Sequence, residues 1–258
     1  MAVNLRALAA HAPVPVFIAA NTADRGRLDD LSLDPSIRIA ASPRHAQVLL
    51  AAGSLLDADL DSLRRVHDQL PHPRATLFWG APAVPGLEDC ARVEAGSDPV
   101  PALKTLFRSL MLGKRSSEPD LCPDEPPAPW QGRGEHGQGG EGMMGGVPWG
   151  RPMAMTDEDI RDGLALDAYT MQIGPFLPML PAGLVLSVTL QGDVIQNAKV
   201  LRLPAPGPNL ECQLPDDVPD TAIVALERTR AVRNLRGMAQ VLELLELHAL
   251  AERCRRTG

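Results

Sequence analysis

Short apolar blocks separated by polar, helically spaced stretches set the pattern of the first part of the chain. Val14–Ala20 (VPVFIAA) is a continuous apolar run bounded by Pro13 and Asn21. Ser36–Ala41 (SIRIAA) alternates, and Gln47–Gly53 (QVLLAAG) is apolar throughout. Alternation fits a half-covered strand, and an unbroken run fits a strand covered on both faces. Asp57–Leu70 has the helical period instead, with Leu60, Leu63, Val66 and Leu70 on one stripe and Arg64, Arg65 and Asp68 outside it. The run Pro71-His72-Pro73-Arg74 ends that helix, and Ala75–Gly80 (ATLFWG) reads as the next buried strand. Pro101–Gly113 reads as a helix closed by Gly113 as its C-cap. Strands alternating with helices at this spacing predict right-handed βαβ units on a mostly parallel sheet with flanking helices.

The pattern changes at Lys114. The stretch 114–130 is polar and Pro-rich, and Gly then recurs at nearly every second or third place to about Asp162. Such a segment holds no core of its own. Met143, Met144, Val147, Trp149 and Met153 are nonetheless interleaved, which a spacer does not need, so it reads as an arm that orders against another surface. Beyond it, Leu166–Ile173 and Leu184–Leu190 read as strands, and Gln191–Asp193 as a tight turn into a paired strand Val194–Leu203. Asp220–Arg256 is helical, with Leu235, Met238, Leu242, Leu245 and Ala249 on one stripe and Arg255 and Arg256 at the negative end of the dipole. Three parts follow: 1–113, an arm over 114–162, and a small module of β-hairpin plus C-terminal helices over 163–258.

Composition alters this picture little. Aromatic residues make up only 3% of the 258, so the cores are built from Leu, Val, Ala and Met. The net charge is −7, with no basic patch interleaved with aromatics, which speaks against a nucleic-acid partner. No run approaches the roughly 20 apolar residues of a membrane-spanning helix. The first apolar stretch is broken by His11, Pro13 and Pro15, and reads as a helix followed by a strand rather than an export signal. A cytoplasmic chain is expected, linked to a membrane only through partners.

Motif chemistry is sparse. Cys90, Cys122, Cys212 and Cys254 form no CxxC pair, so neither a zinc ribbon nor a ferredoxin-type cluster is encoded locally. His45, His67, His72, His136 and His248 are dispersed, and Glu135-His136 has no second His at helical spacing. The run GQGGEGMMGG lacks the Lys and the preceding strand of a phosphate-binding loop. Asp157, Glu158, Asp159 and Asp162 read as a helix N-terminus with Thr156 as N-cap. There is no nucleophile elbow and no Ser/His/Asp order.

One stretch is more specific. Ser42, Pro43, Arg44, His45, Ala46, Val48, Leu49, Leu50 and Gly53 resemble, in order, the Ser/Thr-Pro-Arg-His-Ala-Asp-Val-Leu-Leu-Val-Thr-Gly motif. That motif belongs to the cluster-carrying small subunit of respiratory complex I and of energy-converting, membrane-bound nickel–iron hydrogenases. The likeness continues through LDSLRRVHDQLPHPR, similar to the family's LRRVYEQMPEPKW, and through TLFWG, where its next strand ends in Gly; it spans about Val14 to Leu112. The resemblance implies a flavodoxin-like domain. The departures fall on the metal ligands. Where the family reads Gly-Asp-Cys-Ala, this chain has Gly80-Ala81-Pro82-Ala83; the loop Ala20–Gly26 has no Cys; and the Pro-Gly-Cys-Pro-Pro element is absent. Clusters are held by thiolates, so the resemblance with these losses implies a fold kept without its cluster.

A second resemblance lies in IGPFLPMLPAGLVLSVTLQGDVIQNAKV. Gly174, Pro175, Pro178, Leu180, Pro181, Leu184, Gly192, Asp193 and Val194 match the N-terminal β-segment of the partner large subunit of the same complexes. The loop His that the family associates with quinone or proton handling is Leu177 here, which neither transfers a proton nor donates a hydrogen bond. The helices near the C-terminus resemble a helical part of that subunit.

Together these likenesses imply a fusion of two degenerate modules. The fold expected is α/β: a flavodoxin-like, mostly parallel sheet with flanking helices, a Gly/Pro-rich arm, and a small α+β module of antiparallel hairpin and C-terminal helices. The function implied is that of a non-catalytic, peripheral subunit on the inner face of a membrane, binding antiporter-like or quinone-module-like membrane subunits in place of a redox arm, with no cofactor. The candidate interface residues are Arg44, His45, Met143, Met144, Trp149 and Arg151. Two alternatives stay open: an active quinone-reductase or hydrogenase-type subunit holding a 4Fe–4S cluster through Cys90 and other thiols, and a stand-alone flavodoxin-like binder of small molecules.

Overall fold

The computed structural model describes residues 5–21, 25–123, 155–158, 165–203 and 220–257. They fall into two compact units: residues 1–121, 175–184 and 204–258 in one, and residues 122–174 and 185–203 in the other. The segment 163–258 is thus divided. Its β-hairpin belongs to the second unit, and its Pro-rich loop and C-terminal helices to the first.

The first unit begins with a short helix α1 (Leu5–Ala9), followed by β1 (Val14–Ala20), α2 (Arg25–Leu33), β2 (Ile37–Ile39), β3 (Val48–Ala52), α3 (Leu60–Gln69), β4 (Ala75–Trp79), β5 (Ala91–Val93) and α4 (Val100–Met111). The strands form one sheet in the order β2-β1-β3-β4-β5, parallel at every junction. This is the flavodoxin-like order, with its change of direction between β1 and β3. The unbroken apolar runs have a plain cause. On one face Val16, Val48, Leu50 and Leu77 pack under Leu103, Leu106, Phe107 and Leu110 of α4. On the other face Phe17, Leu49, Ala51 and Phe78 pack under Leu63 and Leu70. Each large apolar side chain buried this way contributes about 1.5–3 kcal/mol.

Two elements have no clear sequence pattern. The helix α2 (RGRLDDLSL) joins the apolar core through Leu28 and Leu31, and β5 is a three-residue edge strand. Where the chain leaves β4, a Cβ on Gly80 would lie 2.7 Å from the Ala95 Cβ, so the loop after β5 closes over a position only glycine fits.

The C-terminal part of the first unit is a helical hairpin, α5 (Asp220–Leu244) and α6 (His248–Thr257). The expected single helical run breaks at Leu245–Leu247, where Glu246 takes a left-handed conformation (φ 59°) and the chain turns back. Arg255 explains the geometry: it reaches Glu243 at 2.9 Å and Asp29 of α2 at 3.7 Å, while Arg236 lies 3.7 Å from Asp30. No helix among the described residues is long and apolar enough to cross a membrane.

The second unit is a four-stranded antiparallel sheet, β6 (Met155–Glu158), β7 (Ala165–Ile173), β8 (Val185–Gln191) and β9 (Val194–Arg202), in that order. Gln191 pairs with Val194, so Gly192 and Asp193 make a two-residue hairpin turn. Thr170 and Thr189 share a cross-strand hydrogen bond of 2.8 Å. The expected helix start at Thr156 is corrected here. Thr156, Asp157 and Glu158 are strand residues paired with Asp167, Leu166 and Ala165. The pairing partner overrides the capping preference of the sequence. Asp159 and Asp162 lie outside the described residues.

Candidate functional site

In an open α/β sheet the ligand crevice lies beyond the carboxyl ends of the strands, where the strand order reverses. Here that place is the exit of β1 and β3. Asn21 follows β1, and its amide Nδ2 donates to Asp59 Oδ2 at 2.9 Å, which ties the β1 exit to the turn that opens α3. Both residues are buried. The loop Pro175–Leu184 crosses over them. Phe176 joins the core on the α3 face, Ala182 joins it on the α4 face, and Gly183 sits directly against the Asn21 side chain. A Cβ at Gly183 would stand 2.2 Å from Asn21 Oδ1, and its φ of +82° is one that only glycine adopts without strain. The loop is pinned internally by Gly183 N–H donating to the Pro175 carbonyl at 3.3 Å.

The exit of β4 is closed too. Trp79 Nε1 donates to the Ser97 carbonyl at 3.0 Å, and the Arg27 guanidinium stacks 4.8 Å over the indole while donating to the carbonyls of Ala95 and Ser97. Among the described residues, segments of the chain itself thus pack at the carboxyl ends of β1 and β4.

The Ser42–His45 motif stands at the opposite edge. Pro43–His45 is a single 3-10 turn between β2 and β3, held by His45 N–H to Ser42 O (3.0 Å) and Ala46 N–H to Pro43 O (3.1 Å). Arg44 and His45 are exposed, and Ala46 is buried against the α3 face. The motif's apolar residues thus build the start of β3, while its charged pair faces outward beside α3. Met143, Met144, Trp149 and Arg151 lie outside the described residues.

A third cluster has no precedent in the motifs. Glu118, in the strap that follows α4, is buried beneath β4 and accepts from four donors: Thr76 N–H at 2.9 Å, Thr76 Oγ1 at 2.7 Å, Cys90 Sγ at 3.2 Å and the His67 ring at 3.2 Å. His67 lies between Glu118 and Asp68, whose Oδ1 is 2.8 Å from Nδ1. Asp68 also accepts from Leu121 N–H at 3.0 Å and from Arg74, 1% exposed, whose guanidinium reaches Asp120 as well. Burial alone would raise the Glu118 pKa, but the bonds from His67, Thr76 and Cys90 outweigh it and hold the carboxyl below its ordinary value.

Asp68 was expected on the solvent side of its helix, and it turns inward. The signal was present: His67 falls three and four residues from Leu70 and Leu63, within the buried stripe. Glu118 carried no signal for the cluster, since its hydrogen-bond donors stand 28 to 51 positions away and only its ion-pair partner Arg115 is local.

The same network decides the character of Cys90. Burial and the adjacent Glu118 carboxylate push its thiol up to about 12. A metal or cluster ligand must be a thiolate, which this environment disfavours. Cys90 also precedes β5 at the level of Thr76, toward the amino ends of the strands, away from the β1–β3 exit. Among the described residues no group of His, Cys, Asp and Glu is arranged to hold a metal ion. An open groove of about 570 Å³ runs along the outer face of α4 past Lys104, Arg108 and Lys114, not at the strand exits.

Compared with known proteins, the chain matches no family model and no curated protein.

Proposed function

We propose that this chain is a non-catalytic peripheral subunit of a complex I-like or hydrogenase-related, ion-translocating membrane assembly, occupying the place of the redox arm. One observation carries this. The segment that resembles the large subunit, Pro175–Leu184, packs across the carboxyl edge of the domain that resembles the small subunit. In the complexes to which the resemblance points, those two subunits bind each other. A fusion that keeps their contact, with Phe176, Ala182 and Gly183 packed at the carboxyl edge of the sheet, keeps the scaffold. The high thiol pKa of Cys90 supports the same view.

The chain, tagged and recovered from membranes in mild detergent, is expected to bring antiporter-like integral membrane subunits with it, and iron and acid-labile sulfide well below one equivalent. Recovery of the chain alone overturns the subunit role. Stoichiometric iron that is lost in Cys90→Ser overturns the non-catalytic role.

A further inference from the structure

The helix α4 is buried on one side only. Leu103, Leu106, Phe107 and Leu110 face the sheet. Its outer face carries two rows of residues four apart: Val100, Lys104, Arg108 and Leu112 in one, and Pro101, Thr105 and Ser109 in the other. These rows, with Lys114 just past the helix end, line the open groove of about 570 Å³. Long side chains on the first row and short ones on the second leave a channel along the helix. Such a channel, set by residues four apart, is the shape that receives the side-chain ridge of another helix. From Val100 to Leu112 it runs about 18 Å, or roughly three turns.

Charge indicates what kind of helix fits. Three of the eight lining residues are cations, Lys104, Arg108 and Lys114, and none is acidic, in a chain whose net charge is −7. Elsewhere Arg64, Arg74, Arg115, Arg236 and Arg255 each meet a carboxylate. Among the described residues the three groove cations make no ion pair, and Lys104 acts on Asp34 only at longer range. Arg108 also suits the negative end of its helix, but Lys104 stands in mid-helix and has no such reason to be there.

The cations form a row rather than a cluster. Lys104 and Arg108 also line a second opening of about 410 Å³, on the side of His11, Ser36 and Phe107, again with no acidic residue. They stand as a ridge between two openings, one turn apart, and do not converge on one point as capture of a single phosphate requires. A row of positive charge beside apolar Val100 and Leu112 matches a row of carboxylates beside an apolar stripe.

We propose that the outer face of α4 is the seat of an acidic, amphipathic helix of a partner protein. This rests on the peripheral-subunit role and names the surface through which one partner is held.

The test uses the full chain and labelled helical peptides of about 14 residues with one leucine stripe, flanked by Glu in one peptide and by Gln in the other, read by fluorescence anisotropy. The Glu peptide is expected to bind although the chain as a whole is acidic, and to be released by high salt. The Gln peptide is expected to bind at least tenfold more weakly. Lys104→Glu/Arg108→Glu is expected to lower affinity for the Glu peptide by at least tenfold. Arg65→Glu/Arg228→Glu makes the same charge change on other helices and is expected to lower it less than about threefold at 0.15 M salt. All four side chains are exposed. Thr105→Trp fills the channel at unchanged charge and is expected to lower affinity by about fivefold, so it remains informative if a charge-reversed variant misfolds by circular dichroism. No binding of the Glu peptide, equal binding of the Glu and Gln peptides, or equal losses from the groove pair and the remote pair overturns the proposal. So does one-to-one binding of inorganic triphosphate that depends on Lys104 and Arg108 while the peptide does not bind, which makes the groove a small-anion site. Membrane subunits that co-purify equally with wild type and with Lys104→Glu/Arg108→Glu sink the α4 seat alone; Glu-peptide binding by a chain that brings no subunits from membranes sinks the assembly role alone.

Discussion

Glu118 is the residue on which the strap after α4 depends. It is a buried carboxylate whose four donors come from α3, β4 and the segment before β5, so it joins elements that the backbone does not connect locally. Removing its charge weakens each of those bonds at once. Glu118→Gln is expected to lower stability at pH 7 by about 2–4 kcal/mol, read from denaturant unfolding. The pH dependence has a definite sign. The folded-state pKa of Glu118 is below its ordinary value of 4.5, so its contribution is complete above that value and is lost as pH falls through it toward the lower folded pKa. The gap between wild type and Glu118→Gln should therefore shrink as the pH falls below the ordinary Glu118 value of 4.5. Asp34, also lowered by its bonds from Ser36, titrates in the same region but is present in both proteins and cancels in the difference. A gap independent of pH down to pH 3 would remove the charge from the account.

Among the elements, the loop Pro175–Leu184 matters most, because it packs across the carboxyl end of β1 and joins the cores on both faces of the sheet. Its weak point is Gly183. Gly183→Ala adds a Cβ 2.2 Å from Asn21 Oδ1 at a φ of +82°. Backbone strain alone costs about 1–2 kcal/mol, and relief of the overlap must displace either the loop or the buried Asn21–Asp59 bond. The expected loss is about 3–5 kcal/mol, with faster proteolysis within 175–184. Gly113→Ala is the control: its φ is also positive, at +69°, but the new Cβ meets only the Arg6 tip at 3.3 Å, so its cost should stay near the backbone term. Equal losses at the two sites would mean that the loop is not seated on Asn21. Sequence pattern reached some elements and not this one. The strands β1, β3 and β4 were legible because sheets covered on both faces demand unbroken apolar runs, and Val48–Ala52 shows one. The helix α2, with two apolar anchors, and the three-residue β5 leave no period to read. The break at Glu246 was hidden inside a continuous helical stripe; α6 is held back by Arg255, which pairs with Glu243 of α5 and with Asp29 of α2, more than 200 positions earlier.

At the scale of the molecule, chain order and spatial order diverge. Residues 1–121 lie within one unit, while 163–258 is shared between two. The resemblance placed the two segments in one polypeptide, but no pattern in either segment says that one caps the other. That makes the first unit testable by dissection. A fragment of residues 1–123 retains the five-stranded sheet and α4, yet lacks Phe176, which is 7% exposed, together with Ala182 and the α5–α6 hairpin over α2. Loss of a buried Phe alone costs about 3–5 kcal/mol, and in a chain of this size each kcal/mol moves the midpoint by about 2–4 °C. The fragment is therefore expected to melt at least about 6 °C below the full chain by near-ultraviolet circular dichroism. A peptide of residues 174–185 added in trans should raise that midpoint with concentration, because it binds the folded sheet and not the unfolded chain. The same peptide carrying Gly183→Ala should raise it much less. A fragment that melts with the full chain, and ignores the peptide, would mean that the sheet closes its carboxyl edge without the loop and that the crevice is open to a ligand after all.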